Sequence, residues 1–136
     1  MKIGEEIKVH IVQNGKGRES LWAEYLGDNK VKILNIPFVV NTINLYDIVE
    51  INDEKKITGV ISSTMKTYYI KWEPSLLAEE IKFQWKQICE YLNKNDKIHK
   101  ESAYAGFFSI AVPNKIRKQR FFDFLQKSPV KLTIME

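Results

Sequence analysis

A chain of 136 residues with a hydrophobic content of 44% can form one small domain or two very small ones that pack together. No stretch approaches the ~18 uninterrupted apolar residues of a membrane span, and the charges in residues 1–14 argue against a secretory signal. A single cysteine, Cys89, excludes an internal disulfide framework, and the reduced cytoplasm is therefore the expected location.

The net charge of +4 belongs to the second half of the chain. Residues 1–68 contain nine basic and nine acidic side chains, whereas residues 69–136 contain twelve and eight. Most of the excess comes from six basic residues near the C-terminal end, which are Lys115, Arg117, Lys118, Arg120, Lys127 and Lys131. Such a group is typical either of a surface for phosphates or an acidic protein, or of a merely solvated face.

The first half of the chain, residues 1–64, has the pattern of short strands. Ile7, Val9 and Ile11 alternate with polar residues, which places them on one side of a strand. The turn at residues 27–30 predicts a hairpin. Strands are predicted at 7–11, 20–26, 31–34, 48–51 and 57–62. Five short strands with tight turns predict a strongly bent sheet or a small SH3-like β-barrel.

The second half, residues 65–136, changes to a mixed pattern. Ser75 is predicted to open a helix whose buried stripe contains Leu77, Ile81, Trp85, Ile88 and Leu92. A strand precedes this helix, two strands and a second helix at 114–127 follow it, and a last strand closes the chain. This order predicts a ferredoxin-like split βαβ unit. Because each half would be marginally stable alone, we expect the two to dock as one compact α+β protein.

Three blocks in a fixed order carry a resemblance to a known family. They are residues 19–24 with Gly27 and Asp28, then residues 35–38, and then residues 47–49. On these residues the chain resembles a family of small bacterial proteins known as domain of unknown function 4265. Family members usually carry a glycine where Tyr46 stands in this sequence. The resemblance implies a fold and a bacterial or phage origin, and it implies no activity.

Six residues of these blocks are predicted to build the fold. They are Trp22, Glu24, Asn35, Pro37, Phe38 and Asp47. Trp22 is predicted to cover the end of a barrel core while Glu24 stays solvated, and a ligand shelf formed by these two is the less favoured alternative. Asn35 and Asp47 are predicted to bond their own backbone in turns, and Pro37 to interrupt a strand ladder.

The sequence contains no pattern typical of a catalytic or metal site. His10, His99 and Cys89 are too scattered to predict a zinc site. Cys89 is predicted to be a buried, inert thiol. Gly15 and Gly17 precede a strand rather than a helix, so no phosphate loop is predicted. We therefore expect no catalytic residue, no metal and no cofactor.

Binding rather than catalysis is the predicted function. Small proteins without catalytic signatures often act by stoichiometric binding, as immunity proteins and antitoxins do, and this is an analogy of size and fold. The expected partner is a protein, such as a toxin or a defence component, contacted through the basic residues named above. The alternative is a nucleic acid, which is weakened because the aromatic residues of the second helix face inward by period. No membrane partner is expected.

Overall fold

The computed structural model describes residues 1–15, 17–38, 40, 42–94, 98–104, 106–115, 119–127 and 132–135. The chain divides into two compact units, Met1–Thr67 and Tyr68–Glu136. Within the described residues one sheet forms from the first five strands, and a second sheet is accompanied by two helices. The predicted α+β class is confirmed. Neither of the two helices, as far as their described residues extend, has both the length and the apolar character needed to cross a membrane.

The first sheet contains five strands in sequential order, each antiparallel to its neighbours. The strands are β1 (Glu6–Gln13), β2 (Gly17–Gly27), β3 (Lys30–Ile33), β4 (Ile48–Ile51) and β5 (Ile57–Ser62). The sheet curls until β1 meets the start of β5, where His10 and Lys56 form an isolated bridge. The predicted five-stranded, bent sheet is therefore present.

The core of the first unit lies on one side of this sheet. Alternate strand residues point inward because the side-chain period of a strand is two. The buried set is Ile7, Val9, Leu21, Ala23, Val31, Ile33, Val40, Ile43, Val49, Ile51 and Ile57. Burial of one such isoleucine or leucine contributes about 1.5–3 kcal/mol to folding.

The hairpin between β2 and β3 closes with two residues in the left-handed conformation. Asp28 has φ 53° and Asn29 has φ 59°. A two-residue turn of type I′ requires positive φ at both positions, and aspartate and asparagine are among the residues that accept it. The predicted hairpin at residues 27–30 is therefore explained by its turn chemistry.

A second left-handed residue, Tyr46, lies just before β4. The Asp47 N–H donates to the Asn44 carbonyl oxygen at 3.1 Å, and Tyr46 has φ 64° at the third position, as in a type II turn. Ile33 bonds both Tyr46 and Asp47 through its backbone at 2.9 Å, so two residues oppose one and form a bulge. A position with positive φ favours glycine. This gives a physical reason for the glycine usual in the family that the sequence resembles.

The second sheet has the order β7-β8-β6-β9. In chain order the elements are β6 (Met65–Trp72), α1 (Ala78–Lys94), β7 (His99–Tyr104), β8 (Phe107–Pro113), α2 (Gln119–Gln126) and β9 (Leu132–Met135). β7 pairs with β8 and β6 with β9, both antiparallel. The core of this unit contains Tyr68, Ile70, Trp72, Ile88, Leu92, Ile98, Phe108, Ile110, Val112, Phe121 and Leu125.

Helix α1 begins later than the sequence predicted. The first helical residue is Ala78, and the Leu77 N–H donates to Glu80 Oε1 at 3.1 Å, which caps the helix from its first turn. Leu77 is 67% exposed, so its assignment to the buried stripe was wrong. The Ser75 hydroxyl bonds Glu73 instead of capping α1. Gln84 is a buried residue of α1, although its polarity gave no such signal.

The left-handed turn predicts an unusual pattern of substitutions at position 46. In Tyr46→Gly the backbone strain of about 1–2 kcal/mol disappears, while the contact of the ring with the Lys32 ammonium, 4.8 Å from its centroid, is lost. We expect a change in unfolding free energy within about 1 kcal/mol, because unfolded glycine also gains entropy. Tyr46→Val should destabilise by about 2 kcal/mol or more, since β-branched residues resist positive φ. Urea unfolding checks both, and equal losses in the two variants would contradict the role of the turn.

Candidate functional site

The connection between β3 and β4 is fastened to β2 by the Glu19 carboxylate. The Phe38 N–H donates to Glu19 Oε2 at 2.7 Å, and the Val40 N–H donates to Glu19 Oε1 at 3.0 Å. Hydrogen bonds to a carboxylate are stronger than those between neutral groups. Glu19 and Phe38 thus join the first sequence block to the second. Pro37, which directly precedes Phe38, is buried and lies outside every described strand.

Asn35 makes a second link between the same two blocks. The Trp22 N–H donates to Asn35 Oδ1 at 2.6 Å, and the Leu34 N–H donates to the Trp22 carbonyl oxygen at 2.9 Å. The side chain of Asn35 therefore extends the ladder between β2 and β3 beyond the last paired backbone. The prediction that Asn35 bonds its own backbone was wrong, because its acceptor serves a residue thirteen positions away.

Asp47, from the third block, is a buried carboxylate at the centre of a small polar network. The Asn44 N–H donates to Asp47 Oδ2 at 2.8 Å, and the Ser63 hydroxyl donates to Asp47 Oδ1 at 2.6 Å. Asn44 Oδ1 in turn accepts the Thr67 N–H at 2.9 Å. Burial raises the pKa of Asp47, and the bonds from Ser63 and Asn44 oppose this shift. The network fixes the turn before β4 and the chain that enters β6.

Trp22 lies on the outer face of the first sheet, with 45% of its surface exposed. The prediction that Trp22 covers the core was wrong. Leu21 and Ala23 occupy the inward positions of β2, so the residue between them must point outward. Lys8, directly opposite on β1, places its Nζ 5.1 Å from the centroid of the Trp22 ring. This cation–π contact covers one side of the ring.

The outer face brings further polar residues beside Trp22. Glu24, half-buried, follows it on β2 and pairs across the sheet with Lys32 of β3. The Lys32 ammonium lies over the ring of Tyr46. We call Lys8, Trp22, Glu24, Lys32 and Tyr46 the Trp22 face. The two lysines and Tyr46 were not predicted as site residues from the sequence, although the register of the β1–β2 hairpin places Lys8 opposite Trp22.

The basic residues near the C-terminal end are only partly described. Lys115, Arg120 and Lys127 are exposed, whereas Arg117, Lys118 and Lys131 lie outside the described residues. Arg120 is in the first turn of α2, and the Lys127 N–H still bonds the Asp123 carbonyl oxygen at 3.2 Å. Arg120 and Lys127 are seven residues apart, which is nearly two helical turns. They therefore lie on the same side of α2, about 10 Å apart along its axis.

In the part of the chain that the structure describes, the residues suited to metal binding lie apart from one another. Among the described residues, no group of three or more His, Cys, Asp or Glu is placed to hold a metal ion. His10 is on β1 and His99 begins β7. Cys89 is half-buried on α1, and burial raises the pKa of its thiol, with Lys100 opposing the shift. A thiol with a raised pKa holds less of the reactive thiolate.

Exposure of Trp22 predicts a small effect of its removal on stability. Trp22→Ala should lower the unfolding free energy by less than about 1.5 kcal/mol, since the ring contributes mainly a surface cation–π contact. Leu21→Ala is the matched control from the adjacent position, which is 2% exposed, and it should cost about 2–5 kcal/mol. Chemical denaturation of both variants provides the measurement. A larger loss for Trp22→Ala than for Leu21→Ala would contradict the outward orientation.

The buried Asp47 predicts a pH dependence of stability. Its pKa in the folded state is raised above the ordinary value of 3.8, so its contribution to stability is lost as pH rises from 3.8 through the folded pKa. Asp47→Asn does not titrate, and its amide can still bond Asn44 and Ser63. The unfolding free energy of Asp47→Asn minus that of the parent should therefore increase with pH across this range and then level off. A decrease with pH would show that the bonds outweigh burial.

Comparison with known proteins agrees with the resemblance carried by these blocks. A crystal structure of a hypothetical protein from Neisseria gonorrhoeae is similar, with a TM-score of 0.63 and 16% identity, over 100% of this chain and 95% of that one. At this identity the likeness concerns the fold alone. No curated protein matches. The family model described as Domain of unknown function (DUF4265) matches residues 19–129, which include all three blocks. The chain belongs to the DUF4265 family.

Proposed function

We propose that this protein is a non-catalytic protein-binding module, and the exposed Trp22 ring is the observation that carries the proposal. Tryptophan is enriched among the residues that dominate binding free energy. The pairing of β2 with β1 fixes the backbone of Trp22, and the Lys8 ammonium lies over its ring. A side chain that is already ordered loses less entropy when a partner covers it. The Trp22 face is therefore suited to act as the centre of an interface.

The charges support a protein partner of mixed polarity. Around Trp22, the lysines Lys8 and Lys32 alternate with Glu24, and interfaces commonly surround an apolar centre with such a polar rim. In the second unit, exposed Lys115, Arg120 and Lys127 favour a partner that presents acidic side chains there. A toxin or defence component, neutralised as immunity proteins and antitoxins neutralise theirs, fits this description by analogy of size and fold.

The scaffolds that we infer are consistent with a binding role. The sequential antiparallel order of β1 to β5, with the bridge between His10 and Lys56, supports an SH3-like barrel. The order β7-β8-β6-β9, with α1 after β6 and α2 after β8, supports a ferredoxin-like unit. Neither scaffold defines a chemistry by itself. With Cys89 as the single cysteine, we propose the reduced cytoplasm as the location.

A nucleic acid is the second candidate partner, favoured by Arg120 and Lys127 on one side of α2. Cations spaced along a helix can follow a phosphate backbone. Against this candidate, Phe121 of α2 is buried, and Phe122 and Phe124 pack against the same core, so α2 offers no fully exposed ring for base stacking. Of the exposed aromatic residues described, Trp22 belongs to the half of the chain whose charges balance, and Phe83 lies on α1 and not on the basic α2. We therefore rank the nucleic acid second.

The test of the proposed function compares two exposed aromatic residues. A tagged parent protein is used to recover a partner from its native cells, and affinity is then measured with the purified pair by calorimetry. Trp22→Ser should weaken binding by about tenfold or more, which corresponds to about 1.4 kcal/mol. Phe83→Ser, at a position of α1 that is 57% exposed, should leave the affinity unchanged. Equal affinities of both variants and the parent would remove Trp22 from the interface.

The nucleic-acid candidate is tested separately by fluorescence anisotropy with labelled DNA and RNA, single-stranded and duplex. At physiological salt we expect no measurable binding by the parent. Tight binding that falls steeply with salt, and that disappears when Lys115, Arg117, Lys118 and Arg120 are replaced by glutamate, would reverse the ranking. A screen for hydrolase, nuclease and transferase activity should remain at background. Turnover abolished by one substitution, such as Glu24→Gln, would contradict a non-catalytic role.

A further inference from the structure

Within the described residues, backbone pairing between β1 and the start of β5 closes the curl of the first sheet at one point. β1 and β2 share eight paired residues, whereas β1 and β5 are joined, within the described residues, by the single bridge between His10 and Lys56. One hydrogen bond of this joint runs from the His10 N–H to the Lys55 carbonyl oxygen, at 3.0 Å. The joint between β1 and β5 therefore has far less backbone pairing than the ladder on the other side of β1.

The position of the Lys55 carbonyl is set by Asn52. Asn52 Oδ1 accepts the N–H groups of Glu54 and Lys56, each at 3.0 Å. The backbone of Asn52 bonds Lys55 and Lys56 in the same turn, also at 3.0 Å. Within this turn Lys55 takes φ 62°, a strained conformation for a residue other than glycine. The bridge between β1 and β5 thus depends on the hydrogen bonds of Asn52 and on the strained backbone of Lys55.

Beyond the bridge, β5 is irregular. Its pairing with β4 skips Thr58 and Ile61, so the strand contains two bulges, and bulges bend a strand. On β1, alternate amides point toward β2 and away from it. The His10 amide is of the outward kind, as are those of Lys8 and Val12. Val12, Val60 and Ile61 are exposed, as expected where two strands diverge instead of pairing.

We propose that the joint between β1 and β5 is a gate. It opens by breaking the backbone bonds of the bridge between His10 and Lys56, among them the bond from His10 to Lys55, while the ladders of β1 with β2 and of β3 with β4 stay intact. Local opening of this kind needs less free energy than global unfolding, because few backbone bonds and few buried contacts are lost. The open gate frees the His10 amide, which then forms, with the outward amides of Lys8 and Val12, a strand edge that β5 does not pair. The gate does not depend on the proposed protein-binding function.

Hydrogen exchange of individual amides by NMR tests the gate. Val9 and Ile11 flank His10 on β1, and their amides point toward β2. In the parent, the His10 amide should have a protection factor about tenfold or more below those of Val9 and Ile11. In Asn52→Ala the factor of His10 should fall further relative to both neighbours. Asn14→Ala, in the exposed turn between β1 and β2, is the matched control and should leave the ratio unchanged.

Lys55→Gly keeps the test decisive if Asn52→Ala does not fold. Glycine adopts positive φ without strain, so this variant retains the carbonyl and relaxes the turn. The His10 amide should then be protected as well as in the parent or better, relative to Val9 and Ile11. The gate is overturned if His10 is as protected as its two neighbours in the parent. It is also overturned if the Asn52→Ala variant folds and all three amides lose protection in equal proportion.

Discussion

Backbone groups in the fourteen residues between β3 and β4 must find hydrogen-bond partners, because Ile36, Val40 and Ile43 draw this connection into the core. A buried N–H without a partner costs as much as a lost hydrogen bond. The chain meets this requirement with acceptors from β2 and from the connection itself. Glu19 accepts two amides of this connection and Asp47 accepts one, while Asn35, within the connection, accepts the N–H of Trp22 on β2. The sequence blocks that identify the family thus supply the hydrogen bonds that join this buried segment to β2 and order the turn before β4.

The sequence predicted the strands well because local patterns determine them. β4 at 48–51 and β5 at 57–62 were expected from runs of β-branched residues between turn residues, and the structure has the same bounds. The alternation of inward and outward side chains along β2 could also be predicted from the sequence. Trp22 was nevertheless misplaced, because the usual burial of tryptophan was weighed above the alternation that put Leu21 and Ala23 inside. The position of Trp22 in the pleat of β2, and not its residue type, determines that its side chain points outward.

The side-chain contacts of the candidate site could not be read in the same way. The partner of Asn35 is Trp22, and the partners of Glu19 lie nineteen and twenty-one residues away. Such contacts depend on the path of a connection without regular structure, which local propensity does not specify. The contact between Lys8 and Trp22 is an intermediate case. It follows from the β1–β2 register once the residues of the turn between them are assigned.

The two bulges of β5 have a consequence for the behaviour of the protein at high concentration. A half-open sheet with an uncharged last strand would ordinarily offer a template for the strands of other molecules, which is a route to aggregation. In β5 the skipped residues Thr58 and Ile61 interrupt the even spacing of amides that such stacking requires. At the opposite edge, β1 carries Glu6 and Lys8, and charged side chains discourage stacking there. The fold can therefore leave its sheet open without inviting polymerisation.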